Sequence, residues 1–221
     1  MQQKIISIAN TKGGTGKSTI TLFLAKAIRN QTGKKVLIVD MDEQASIIEL
    51  HKIDSISNPE KILFDVIPST YALLKKDLNK FAPDYDVILI DPPRYTDSTN
   101  KNVSIQAIKF SDFILIPLTG TLFDINATIN FLDIIQAIIQ DARQNEIDIK
   151  YNCVLNRVND RIGNQQTIQY LNANNYNLFS STIKDLALLQ NVDCYNDLMN
   201  TKQGKQALEP FFNEFRKWTK I

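Results

Sequence analysis

The chain is 221 residues long and 43% hydrophobic, long enough to bury a sizeable core and short enough for a single α/β domain. Its 25 basic and 24 acidic side chains leave a net charge of +1, which excludes a bulk electrostatic field as the means of holding a nucleic acid or a membrane. The two cysteines, Cys153 and Cys194, are too far apart for a metal knuckle and too few for a secreted disulfide scaffold, and no apolar run nears the roughly 20 residues that span a bilayer.

At the N-terminus, Met1 to Ile8 carries one cation, Lys4, and lacks the cleavage site of a signal peptide, so a cytoplasmic location is expected. The apolar run Ile5 to Ala9 predicts a strand. A glycine loop follows, then a helical stripe through Ile20, Phe23, Leu24, Ala27 and Ile28. Val36 to Val39 predicts a second strand, and Tyr71, Leu74, Leu78 and Phe81 a helix. Further strands are predicted at Val87 to Ile90, Phe113 to Leu118 and Tyr151 to Leu155. Thr128, Leu132, Ile135, Ile139 and Ala142 mark a long helix between the last two. A final stripe runs through Leu208, Phe211, Phe212, Phe215 and Trp218. The strands do not alternate polar with apolar, as befits strands buried on both faces. Strand and helix alternate along the chain, which predicts a doubly wound, mostly parallel α/β sheet with helices on both faces. With no internal repeat or linker, residues 1–221 read as one domain.

The loop between the first strand and helix reads Lys12-Gly13-Gly14-Thr15-Gly16-Lys17-Ser18-Thr19. Glycines let backbone N–H groups turn inward, forming a nest for phosphate oxygens at the positive end of a helix. Lys17 then supplies a point charge for the β- and γ-phosphates and Ser18 a hydroxyl for Mg²⁺. The ordinary phosphate loop has a glycine where Thr11 stands, so this is a variant loop. The dinucleotide fingerprint Gly-x-Gly-x-x-Gly does not occur.

These residues resemble the deviant Walker A loop of the ParA and MinD ATPases, a branch of the P-loop NTPases marked by an extra lysine that Lys12 matches. The resemblance implies that Lys12 reaches across an ATP-bound homodimer to the partner's phosphates, with the logic of an arginine finger in trans. Val39-Asp40-Met41-Asp42-Glu43-Gln44 resembles the family's Asp-x-Asp-Pro-Gln segment, with Glu43 in place of proline. By that match Asp42 orients or deprotonates the attacking water and Asp40 acts near Mg²⁺ through water. Taken alone, both aspartates also suit the cap of a following helix. Asp91-Pro92-Pro93, after a buried strand, resembles Walker B and implies that Asp91 assists the Mg²⁺ shell. Ser111 to Pro117, with the helix at Asp124, resembles the next strand and the long interface helix of ParA. Val154-Leu155-Asn156-Arg157 resembles the strand that approaches adenine, with Asn156 on the base edge and Arg157 beside the ring. A structural strand end explains the same pair equally well. Ile183-Lys184-Asp185 is a further candidate for that pocket.

Clear motifs extend to about residue 158. They imply an ATP-hydrolysing switch with ATP and Mg²⁺ as cofactors, a ParB-like partner, non-specific DNA as the carrier surface, nucleoid association and a role in plasmid or chromosome partitioning. Only eleven residues precede Lys12, so no N-terminal helix-turn-helix module is expected. The stretch from Thr201 carries five basic residues and two acidic ones, 5 − 2 = +3, and suits either phosphate contacts or a solvated helix face. Its Phe211, Phe212, Phe215, Trp218 and Ile221 also suit a MinD-like membrane tail. A metabolic reading, by resemblance to dethiobiotin synthetase, is disfavoured by Lys12, Asp42 and the Asp112 to Pro117 segment. Cys153 reads as strand core, Cys194 stays unassigned and His51 reads as surface. Neither cysteine matches the cluster ligands of the related nitrogenase iron protein.

Overall fold

The computed structural model describes residues 3–95, 98–119, 122–158, 162–185, 187–189 and 192–221. Seven strands form one sheet in the order β3-β2-β4-β1-β5-β6-β7. They are β1 (Lys4–Ile8), β2 (Val36–Asp40), β3 (Asp65–Pro68), β4 (Val87–Asp91), β5 (Phe113–Thr119), β6 (Lys150–Val158) and β7 (Leu178–Lys184). Every pairing is parallel, so the mostly parallel sheet expected from the sequence is wholly parallel among the described residues. The helices between them are α1 (Lys17–Thr32), α2 (Ser46–Ser57), α3 (Leu74–Phe81), α4 (Ser98–Lys109), α5 (Leu122–Gln144), α6 (Ile162–Ala173) and α7 (Lys202–Thr219). The Asp124 side chain lies outside the described residues.

Successive strand residues point to opposite faces, and here both faces are dry. Ile6, Ile8, Val36, Ile38, Val87, Leu89 and Leu115 meet α1, α2 and α7 on one side. Leu37, Val39, Ile88 and Ile90 meet α3 and α4 on the other, and Ile114, Ile116, Cys153 and Leu155 meet α5 and its neighbours there. The central strands were therefore readable as plain apolar runs. The edge strands were not: β3 ends on Pro68 and is half exposed, and β7 carries Ser180 and Ser181. The polar stretch before Asn177 holds α6, whose Leu171 is buried while Tyr170 is largely exposed.

Two expectations fail. Tyr71 is 54% exposed and stands in a turn before α3, because Leu74 and Leu78 alone supply that short helix with its buried face. His51 is half-buried rather than a surface residue: its Nε2 donates to the Phe64 carbonyl at 3.0 Å, and its ring packs on Phe64.

The C-terminal helix α7 is docked. Phe211, Phe212 and Phe215 are buried to within 1% of completely, and Trp218 stacks edge-on against Phe113 and Phe179. The Glu214 carboxylate accepts four hydrogen bonds from the N–H and hydroxyl groups of Ser180 and Ser181, which fixes α7 to β7. A membrane anchor would require this apolar face to leave the core. Among the described residues no helix is long and apolar enough to cross a membrane. Phe212→Ala is expected to lower stability by about 3–5 kcal/mol, read from the urea midpoint; a loss below about 1 kcal/mol would show that α7 is not docked.

Candidate functional site

The carboxyl ends of β1, β2 and β4 form the centre of one sheet edge, and the chain crosses from β1 into α1 there. Open parallel sheets bind ligands at such edges. Asn10, 2% exposed, shapes the crossing: its Nδ2 donates to the Pro117 carbonyl at 2.5 Å, while its Oδ1 accepts from the Lys12 N–H at 3.1 Å. Gly14 and Gly16 have φ of 74° and 87°, a conformation that disfavours side chains, and Gly16 caps α1. A Cβ at Gly16 would also run into Asn156 Nδ2, which donates to the Thr15 carbonyl at 2.7 Å. The loop thus reaches α1 through two left-handed glycines, the backbone form from which a phosphate nest is built. Gly13 and Gly14 are exposed, Lys12 is half-buried and Thr15 is buried.

Lys17, 8% exposed, opens α1. Burial pushes its ammonium below the usual lysine range and nearby Arg94 adds to this, while Asp91 and Asp42 pull the other way. The Ser18 hydroxyl donates to Asp91 Oδ2 at 2.6 Å. The other oxygen, Asp91 Oδ1, is buried and has no hydrogen-bond partner among the described residues. Burial raises this carboxyl from 3.8 to about 7, with Ser18 and Lys17 opposing the rise and Asp40 and Asp42 adding to it. An oxygen without a donor at a hard-ligand site, beside a hydroxyl, is the chemistry Mg²⁺ accepts; that ion uses one or two carboxylates, waters and phosphate oxygens rather than a full protein cage. The residues present fit it.

Strand register sets Asp40 directly beside Asp91. Asp40 Oδ2 accepts from the Ile48 N–H at 3.1 Å and Oδ1 from the Asp42 N–H at 3.2 Å. It therefore holds the first turn of α2, the helix-capping role that its sequence position also allowed. Burial raises its carboxyl above the usual range, against those N–H donors. Asp42 is half-buried, and its Oδ1 accepts from the Gln44 N–H at 3.0 Å.

A second cavity adjoins the loop. Gly16, Thr19 and Asn156 close one end, Ile20 and Phe23 line it, and Arg157, Lys184 and Asp185 supply polar groups. The structure brings both stretches named from sequence, 156–157 and 183–185, to this cavity. Asn156, 4% exposed, has one amide N–H engaged by the loop, so that hydrogen is not available to a base. Arg157 leaves β6 with φ of 56°, a left-handed conformation costing about 1–2 kcal/mol, and is exposed.

A family model described as the CobQ/CobB/MinD/ParA nucleotide binding domain matches residues 6–198. The chain belongs to this family. Among curated CobQ/CobB/MinD/ParA relatives, the maintenance of carboxysome distribution protein A of Halothiobacillus neapolitanus is 27% identical over 164 residues, covering 74% of this chain and 71% of that protein. The sporulation initiation inhibitor protein Soj of Bacillus subtilis is 29% identical, with 52% of this chain and 58% of that protein covered. A plasmid partition protein from Borrelia burgdorferi, solved with AMPPNP, has the same fold at a TM-score of 0.72 and 24% identity, covering 99% of this chain and 100% of that one. A cobyrinic acid a,c-diamide synthase from Mycobacterium smegmatis, solved with an ATP analogue and magnesium, does so at 0.71 and 19%, covering 98% and 95%.

Within this family site, sequence reasoning missed Asn10 and Arg94. Asn10 works through a carbonyl 107 residues away, and Arg94 through a loop 81 residues before it, so no local pattern announces either. The buried Asp91 generates a pH prediction. A carboxyl raised from 3.8 to about 7 burdens the nucleotide-free fold increasingly as pH climbs through that interval, because only the unfolded chain ionises there. Asp91→Asn should therefore stabilise the nucleotide-free chain, by nothing at pH 3.5 and by up to ~4 kcal/mol at pH 7 and above, in urea unfolding across pH. A pH-independent difference would contradict the assignment.

Proposed function

We propose that this chain is an ATP-driven switch of the ParA kind: ATP binding builds a homodimer, the dimer holds DNA without sequence preference, and a ParB-like partner triggers hydrolysis and release. The observation that carries the nucleotide step is the buried, donorless Asp91 Oδ1 beside Ser18 and Lys17, at the mouth of a glycine loop. An anion in the loop stabilises the Lys17 ammonium where burial has removed water. Ser18 and Asp91, with Asp40 behind them, would hold Mg²⁺, which when bound neutralises charge on the outer phosphate oxygens. Asp42 orients the attacking water and accepts its proton as oxygen adds to the γ-phosphorus, and the β–γ bridging oxygen leaves with ADP. Loop residues 12–19 bind the phosphates, and Asn156 and Arg157 stand at the base end.

The fold alone does not choose between partitioning and metabolism, since a diamide synthase shares it. Lys12 supports the switch reading, because a second lysine at the loop entrance has a use once two subunits meet around the nucleotide. The relatives' names support the same direction, although coverage of 58% of Soj leaves whole-protein partners to be established on this chain. The membrane alternative is weakened, as Phe211, Phe212 and Phe215 are in the core and Trp218 and Ile221 pack against it.

Lys12→Ala is expected to cut hydrolysis at least tenfold while leaving ATP affinity within about threefold, and undiminished turnover would remove the trans-lysine role. Asp42→Ala should accumulate an ATP-bound dimer on size exclusion. Binding to a random-sequence duplex should need Mg-ATP rather than Mg-ADP and weaken steeply with salt, while anionic liposomes stay bare. Liposome binding without duplex binding would overturn the DNA carrier; binding to neither would return the chain to the metabolic reading.

A further inference from the structure

Arg94 has no part in the roles assigned above, yet its side chain lies against the phosphate loop. Its chain neighbours are fixed. Pro92 and Pro93 are buried, and the Pro93 carbonyl accepts the Ser104 hydroxyl at 2.9 Å. The Tyr95 N–H donates to the Asn10 carbonyl at 3.4 Å, and the Tyr95 ring packs on Phe131 with centroids 5.5 Å apart. Anchored on both sides, Arg94 sets its guanidinium over Gly13, where a Cβ would run into it. Gly13, unlike Gly14 and Gly16, does not have a positive φ, so no left-handed backbone calls for a glycine there. What the missing side chain leaves room for is the guanidinium.

Charge and direction say what that guanidinium faces. Arg94 and the buried Lys17 repel each other across the loop, an arrangement that an anion between them relieves. The cleft beside Arg94 is walled by Asp42, Glu43, Gln44, Pro93 and Asn100, so it opens on the carboxylate proposed to position water. The base-side cavity begins at Gly16 and Thr19, and Gly13 lies at the other end of the loop. A nucleotide laid along the loop from that cavity brings its outermost phosphate toward Arg94.

We propose that Arg94 is a phosphate-contacting residue acting within its own subunit, whose guanidinium reads the terminal phosphate and sets the preference for nucleoside triphosphate over diphosphate. This rests on the nucleotide reading above. The role is separate from that of Lys12, which requires a second subunit. A planar fork of donors suits two phosphate oxygens at once, which a lysine ammonium matches only as a point charge.

The test is calorimetric titration of the full chain with Mg-ADP and with a Mg-bound non-hydrolysable ATP analogue, at a concentration where light scattering shows monomer. Arg94→Ala should weaken analogue binding about tenfold or more and leave ADP binding within about twofold, with the nucleotide-free melting temperature unchanged. Arg94→Lys should recover part of the lost preference. An unchanged ratio of the two affinities in Arg94→Ala would overturn the proposal, as would an equal loss for both nucleotides, which marks a merely structural arginine. Wild-type protein that binds neither nucleotide would sink the nucleotide reading itself, an outcome distinguishable from the other two.

Discussion

The site turns on one buried carboxylate. Asp91 ends the strand between β1 and β2, buried, with a single hydroxyl satisfying one oxygen and no donor for the other among the described residues. A buried charge without donors is costly, and elsewhere in this chain the rule is observed: Asp40 accepts two N–H groups and Glu214 four donors. Register adds to the burden by setting Asp40 next to Asp91 on the neighbouring strand. The surroundings of Asp91 are consistent with a centre kept ready for a cation and an anion together. Lys17 is sunk beside it, the loop backbone is bent through two left-handed glycines, and burying Asp91 costs the fold stability.

How much of this was legible in the sequence depended on whether the cause was local. The central strands announce themselves because burial on both faces demands unbroken apolar residues. β3 and β7 do not, because an edge strand has one neighbour, tolerates Pro68 and can carry Ser180 and Ser181, whose polar groups are used to bind α7. Tyr71 fits the helical spacing of Leu74 and Leu78 and still lies outside the helix, since periodicity does not say where a helix starts.

The same distinction divides the site. The glycine loop is a local device, so spacing alone placed 12–16 between β1 and α1 and 17–19 in the first turn of α1. Asp40 was legible in two ways, and the structure displays the less specific one, a helix-holding carboxylate, without removing the register that keeps it beside Asp91. Asn156 was placed near the base by resemblance to a family strand, while its position at a strand end allowed a purely structural reading as well. Its hydrogen bond to Thr15 adds what position did not suggest, a clasp between the base cavity and the loop. Asn10 and Arg94 depend wholly on tertiary approach and leave no spacing to read.

The buried cluster around Lys26 ties one wall of the site to α1. Lys26, 1% exposed in the middle of α1, donates to the Asp193 carbonyl at 2.5 Å, and burial depresses its ammonium despite the attraction of Asp193. Asn30 binds Asp197, and Asp54 of α2 accepts the Cys194 N–H at 2.9 Å. These bonds fasten to α1 and α2 the connector that leads from the Asp185 and Leu189 wall of the base cavity into α7. Since α1 also begins at Lys17, the phosphate loop and the base-side wall ride on one helix and keep a fixed spacing. Asp42 and Arg94 meet the loop from the opposite side, on the cleft that Glu43, Gln44 and Asn100 also wall.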